Sequence, residues 1–321
     1  MKRVLVIDAL NMFLRAFIVD PSISLNGDPI GGIKGSMKIL QKLVRMIKPN
    51  EIVICWDGPN GSQKRKTLNS SYKQGRKPIR LNRSVHNLTE NEELQNKIWQ
   101  QTRFMEYLNE MPIIQLILDR VEADDIVSYV CQSRHYKGWQ KVIVSNDKDF
   151  LQLCDNETIV YRPVTDKIET MNTIVENIGI HPVNMALARA MAGDASDNLP
   201  GVSRVGFKTI AKNLKFMSEE KEVTIDQLME YCKNIDSKAK AFQNILNSRS
   251  VVEHNYKMMQ LYSPLISIQG IQKIDYALEN FECAFNKTDL LKMMMTDGFG
   301  ELNWEELKTF LNKISYECKD K

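Results

Sequence analysis

Histidine is scarce in this 321-residue chain: His86, His135, His181 and His254 stand isolated from one another and read as surface or structural residues. A centre built on imidazole is thereby disfavoured. The six cysteines (Cys55, Cys131, Cys154, Cys232, Cys283 and Cys318) include no CxxC pair. Neither a zinc site nor a disulfide framework is indicated, and a reducing, cytoplasmic compartment is expected. No apolar run approaches the ~18–20 residues of a membrane span. The opening MKRVLVIDAL meets Asp8 too early for a secretory signal and reads as a buried strand. Net charge is only +3, which identifies no partner. A local absence says more. Between Gly58 and Thr89 there is no acidic residue, while Lys64, Arg65, Lys66, Lys73, Arg76, Lys77, Arg80 and Arg83 are basic. A solvated loop would account for such a run; the sharper reading is a surface for phosphate.

Short apolar runs alternate with helical periodicity through the first half, the pattern of βαβ units around a parallel sheet. Strands are expected at 3–8, 51–57, 112–118, 141–146 and 158–162, and helices at 31–47, 90–110 and 122–134. From about 183 the strand signals stop, and amphipathic helices follow at 183–193, 206–216, 224–234 and 237–248, with more helix after 285. This organisation implies a first domain over 1–180 and a helical one over 181–321.

The acids fall at the strand ends. Asp8 closes the first strand, Asp57 the second, and Asp147 and Asp149 follow the fourth in VSNDKDF. In an open parallel sheet the ligand crevice lies beyond those ends. One such Asp is commonly a turn former or a helix cap; several at equivalent positions are not explained that way. VEADDIV at 121–127 adds Glu122 and Asp124, which flank the apolar stripe Ala123, Ile126, Val127 and Val130. Asp125 points away and is expected in solvent or behind the ligands. MAGDASDNLPG contributes Asp194 and Asp197. Carboxylates gathered so densely would repel and desolvate one another unless cations neutralise them. Hard oxygen donors without His or Cys favour Mg²⁺, with Mn²⁺ as the alternative. A pair of such ions suits in-line hydrolysis of a phosphodiester.

Directly afterwards, LPGVSRVGFKTIAKNLK places Arg204 and Gly206 in a tight turn and Lys208 and Lys212 on the helix it opens, an arrangement that grips phosphate without reading bases. Here a resemblance enters. VLVIDALNMFLRAF, PIGGIKGSMKIL, VICWDG, SSYKQGRKP, VEADDIV, VSNDKDFLQL and GDASDNLPGVSRVGFKTIAKNL resemble, in order and spacing over roughly 3–215, the 5′-nuclease (flap endonuclease) family. That family includes the 5′→3′ exonuclease domain of bacterial DNA polymerase I and phage RNase H enzymes.

The resemblance implies an α/β fold: a PIN-like core with a mostly parallel central sheet flanked by helices, a basic helical arch over about 58–105, and a C-terminal helical domain with a helix–hairpin–helix over about 199–216. It implies a two-ion nuclease acting on DNA with a 5′ flap or free 5′ end, or on RNA–DNA hybrids, with replication proteins acting in trans on a monomer. Asp8, Asp57, Glu122, Asp124 and Asp147 match the acids of one ion; Asp149, Asp194 and Asp197 match those of the other. Lys73 and Arg76 match the arch pair that contacts the scissile phosphate. Tyr72 is placed to stack on a terminal base, and Arg65 stands where an arch arginine would meet DNA. The hairpin implies a potassium ion held by main-chain carbonyls. Arg204 departs from the family's Gly-hydrophobic-Gly, and a β-carbon resists φ > 0. The turn geometry therefore rests on less than the other motifs.

Two other enzyme classes fit poorly: a nucleophilic-Asp phosphotransferase would want an acid at Leu10, and a dinucleotide fold would want GxGxxG where DALNMF stands. A junction-binding scaffold without catalysis would be expected to lack some of the acids, and none is missing.

Overall fold

A computed structural model describes residues 1–75, 88–236, 239–301 and 303–319. RVLVID and EIVICW are unbroken apolar, β-branched runs, which is what a strand covered on both faces requires. They become β1 (Arg3–Asp8) and β2 (Glu51–Trp56), joined by β3 (Ile114–Ile117), β4 (Gln140–Val144), β5 (Thr158–Arg162) and β6 (Lys167–Glu169). The sheet order is β3-β2-β1-β4-β5-β6. Five strands run parallel, and β6 closes the edge antiparallel. The chain lays down one half of the sheet, then crosses to the other side of β1, so the switch point lies between β1 and β4. The β6 edge was not apparent in the sequence, because KIE is too short to show alternation.

Side chains alternate between two cores. Val4, Val6, Val53, Cys55 and Ile143 join one. Leu5, Ile7, Ile52, Ile54, Val142 and Val144 join the other. The second face is covered by α1 (Ala9–Val19), α2 (Gly31–Ile47) and α4 (Glu90–Asn109). A short helix, α3 (Gln63–Leu68), lies in the acid-free stretch. The first face is covered by α5 (Ala123–Gln132), whose Ala123, Ile126, Val127 and Val130 go inward as the stripe requires.

That core continues into the second half through α6 (Met171–Ile178), α7 (Met185–Ala192), α8 (Phe207–Asn213), α9 (Ile225–Asn234), α10 (Lys240–Asn247), α11 (Arg249–Met259) and α12 (Ile268–Glu279). The last helices turn back. Leu290 and Met294 of α13 (Lys287–Thr296), with Phe299, Trp304 and Leu307, Leu311 and Ile314 of α14 (Glu305–Lys319), pack into the core of α2 and α4. Packing therefore does not divide the chain at 180: its C-terminal end completes the core its N-terminus begins. Cys55, Cys131, Cys154 and Cys232 are free and buried, while Cys283 is disulfide-bonded, against the expectation of none.

One buried tie fixes that return. Asp297, 8% exposed, accepts from Arg103 Nε and Tyr107 Oη of α4, both at 2.7 Å. Removing one member of such a group strands its charged partner. Asp297→Ala is expected to lower unfolding stability by about 2–4 kcal/mol in urea titration, and an unchanged midpoint would show the tie to be idle.

Candidate active site

The first acids are set by the ends of β1, β2 and β4. Asp8 caps α1, accepting the Asn11 N–H at 3.1 Å, and also accepts from Ser145 Oγ at 3.0 Å. Ser145 Oγ in turn accepts the Asp147 N–H at 3.1 Å, so one hydroxyl ties the two central strand ends together. Across the same gap Asn11 Oδ1 accepts from Asn146 Nδ2 at 3.0 Å. Asp57 accepts the Ala123 N–H at 2.7 Å, which fixes the end of β2 to the start of α5. The turn after it needs glycine: a β-carbon on Gly58 would stand 1.6 Å from the Leu118 carbonyl oxygen.

VEADDIV folds as α5 with Glu122 at its N-cap. Glu122 is 3% exposed and is held by Arg65 Nη1 and Lys73 Nζ, with Tyr72 Oη at 3.3 Å. Asp124 is half-buried on the crevice side. Asp125 is not in solvent. It is 1% exposed, pairs with Arg65 through Nη1 at 2.8 Å and Nη2 at 3.3 Å, and accepts the Leu265 N–H at 2.9 Å. It lies behind the ligands, the second of the two places the sequence left open, because the helix is covered on that side by the 258–265 segment.

Of the second group, Asp194 and Asp197 are carried by a two-stranded turn, β7 (Gly193–Asp194) and β8 (Leu199–Pro200), while Asp149 follows β4. Gly193 has φ +75°, and a β-carbon on Gly201 would meet the Ala192 carbonyl at 2.1 Å, so glycine is required at both. Asp194 accepts from Ser196 N–H at 2.8 Å and from Ser196 Oγ at 2.6 Å. Between Asp194 and Asp149 lies Arg189 of α7: Nη2 reaches Asp194 Oδ2 at 2.8 Å, and Nε pairs with Asp149 Oδ1. Arg189 is a functional residue the motif reading missed. Its signal was present, as the one charge in MALARAMA.

The electrostatics show how crowded the crevice is. Burial, then the charges of Asp57 and Asp147, push Asp8 up to about 7. Burial, then Asp147, Asp194 and Asp197, push Asp149 up to about 7 against the opposing Arg189. Asp124 is raised well above the carboxylate range by burial and then by Asp147 and Asp8. Asp57 is raised by burial, with Glu122 adding to it. Burial acts to raise Glu122 too, but Arg65 and Lys73 outweigh it and hold this carboxyl low. Asp194 is likewise held low by Ser196 and Arg189 against burial. All eight sequence-predicted acids thus lie in one electrostatic neighbourhood.

Among the described residues, no three of these carboxylates already stand in an ion-holding arrangement. The reason is visible: Lys73 and Arg65 engage Glu122, Arg189 engages Asp149 and Asp194, and backbone N–H groups take oxygens of Asp8 and Asp57. The donor set still fits hard divalent cations. Every group is a carboxylate oxygen, and four of the eight are raised by burial and then by neighbouring acids.

The basic residues divide. Lys73 has φ +56° and lies over the Tyr72 ring, 5.0 Å from its centroid, with its ammonium on Glu122. Tyr72 is 4% exposed, so no face is presented for base stacking. Arg65 is 4% exposed and donates to the Met258 carbonyl at 3.0 Å as well as to the two acids; it is a buried cross-link, not a DNA contact. Arg76 lies outside the described residues. Arg204 adopts φ +62° despite its β-carbon, so the hairpin forms the left-handed turn that glycine would have favoured. Arg204, Gly206, Lys208 and Lys212 are all exposed.

Comparison with known proteins agrees with this architecture. The family model described as 5'-3' exonuclease, N-terminal resolvase-like domain, matches residues 3–179. A 5'-3' exonuclease of Aquifex aeolicus is 26% identical over 319 residues, spanning 98% of this chain and 96% of its own. A 5'-3' exonuclease of Buchnera aphidicola is 30% identical over 225 residues, 69% of this chain and 73% of its own. The bacteriophage T5 D15 flap endonuclease, solved with DNA and metal ions, shares the fold with a TM-score of 0.64 at 17% identity, covering 92% of this chain and all of that one.

Carboxyls raised on folding bind protons in the native state that the unfolded chain has already released. Stability of the ion-free protein must then fall as pH rises from the ordinary carboxylate range through about 7. Glu122 and Asp194 act in the opposite sense, but lower in pH. In EDTA the urea midpoint is expected to be lower at pH 8 than at pH 5.5, with Ca²⁺ restoring more stability at pH 8. A midpoint that rises with pH would refute the crowding.

Proposed function

The chain belongs to the 5'-3' exonuclease family, and we propose that it is a Mg²⁺-dependent, structure-specific 5′ nuclease acting on DNA with a 5′ flap or a free 5′ end. The carrying observation is the convergence of eight acids from five separate stretches on one crevice, with several raised by burial and then by one another's charge.

Asp8, Asp57, Glu122, Asp124 and Asp147 would hold one ion, and Asp149, Asp194 and Asp197 the other. When bound, such ions activate water for in-line attack and offset charge on the entering and leaving oxygens. The chain supplies the rest. Ser145 fixes the spacing of Asp8 and Asp147, and the Asp57–Ala123 bond fixes α5 against β2. Arg65, anchored on Asp125, keeps Glu122 from rotating out of the crevice. Lys73, at the base of the basic arch, exchanges Glu122 for the scissile phosphate and fixes it in line, with Arg76 as its partner. Arg204, Lys208 and Lys212 hold the duplex backbone at the hairpin, whose main-chain carbonyls would also take a potassium ion. Affinity for DNA then falls with salt as phosphate contacts are screened.

The assay is gel cleavage of a labelled 5′-flap duplex in Mg²⁺, in EDTA, and with Asp147→Ala. Cleavage near the junction is expected only in Mg²⁺, and roughly 10²-fold slower or worse in the variant. Tight flap binding without cleavage in either Mg²⁺ or Mn²⁺ would make this a junction-binding scaffold instead.

A further inference from the structure

Both acidic groups hold a buried arginine, Arg65 on Glu122 and Arg189 on Asp149 and Asp194, but only the first also holds a partly exposed lysine among the described residues. Lys73 reaches Glu122 from a turn at the base of the arch, and its side chain is about a fifth exposed. Arg189 rises from α7, in which Met185, Ala186, Leu187, Ala188, Ala190 and Met191 are also buried. Its side chain is 8% exposed and ends between Asp149 and Asp194. A charge on such a helix is tolerated only where it is paired. Lys73 can leave when phosphate arrives. Arg189 cannot.

We propose that Arg189 is a permanent counter-cation built into the Asp149/Asp194 group, a positioning residue that keeps this group folded without metal and weakens its hold on a divalent ion. The guanidinium takes one oxygen from each carboxylate and adds a fixed positive charge beside the ion. An anionic phosphate entering the crevice restores the balance, so this ion joins the enzyme mainly together with substrate.

The inference rests on assigning this group to a divalent ion, and one titration separates the two ideas. Ca²⁺ is titrated calorimetrically into the full chain at pH 8 without DNA, and the binding class lost in Asp197→Asn is scored. Arg189→Gln is expected to tighten that class roughly tenfold or more, and to lower the melting temperature in EDTA but not in Ca²⁺. Arg189→Lys, which keeps the charge, should hold the wild-type affinity to within about twofold. Unchanged or weaker Ca²⁺ binding in Arg189→Gln overturns the proposal. If that variant does not fold even in Ca²⁺, a fall in affinity in Arg189→Lys overturns it and wild-type affinity sustains it. A wild-type chain without this binding class would instead overturn the assignment of the group to an ion.

Discussion

Repulsion among carboxylates governs this molecule. Eight acids brought to one crevice cannot all be ionised in a partly buried space unless positive charge is brought with them. Among the described residues the chain answers with Arg65 and Lys73 on Glu122, and with Arg189 on Asp149 and Asp194. At Asp8, Asp124 and Asp149, burial first and neighbouring acids second push the carboxyls towards their neutral forms. Those carboxyls are where a divalent ion gains most by binding.

Holding the acids against that repulsion needs stiff supports. The sheet provides them, because both faces are buried and the strand ends cannot splay. The segment 258–265 provides the other brace. Its backbone is gripped by Arg65 at Met258, by Gln152 at Leu261, and by Lys64 and Asp125 at Leu265. Polar side chains from the arch base, α5 and the 149–153 turn thus meet on one connector. Bonding its backbone satisfies groups that burial would otherwise leave costly.

The sheet was legible in the sequence because parallel strands buried on both faces read as apolar runs. The acids were legible because they end those runs. What sequence reading misplaced or left open were the residues whose roles depend on tertiary cover. A helical wheel leaves Asp125 either in solvent or behind the ligands, and only the 258–265 segment lying over it decides for the second. Arg65 reads as one basic residue among eight, yet α3 turns it inward. Tyr72 reads as a stacking platform, yet it packs with Leu199, Met258 and Met259. Arg204 was expected to resist a left-handed turn, but Val202 and Val205, both 4% exposed, are buried on either side of it and hold the loop closed. The return of α13 and α14 to the core of α2 and α4 has no local signature, since it pairs residues as distant as Arg103 and Asp297, 194 positions apart.

Asn198 also sets the order in which the site can come into being. At φ +57° its amide donates to the Ser71 and Gln74 carbonyls at 2.9 and 2.8 Å, and the Lys73 N–H donates to the Asp197 carbonyl at 3.3 Å. These bonds close a loop of more than 120 residues, and contacts that distant in sequence carry the largest closure entropy. A nascent chain that ends before residue 193 already carries six of the acids, but it has neither the second acidic turn nor the bonds that seat Lys73. The crevice is therefore whole only late in synthesis, after the sheet beneath it can fold. An unfinished polypeptide holds the parts of a cutting centre without being able to assemble one.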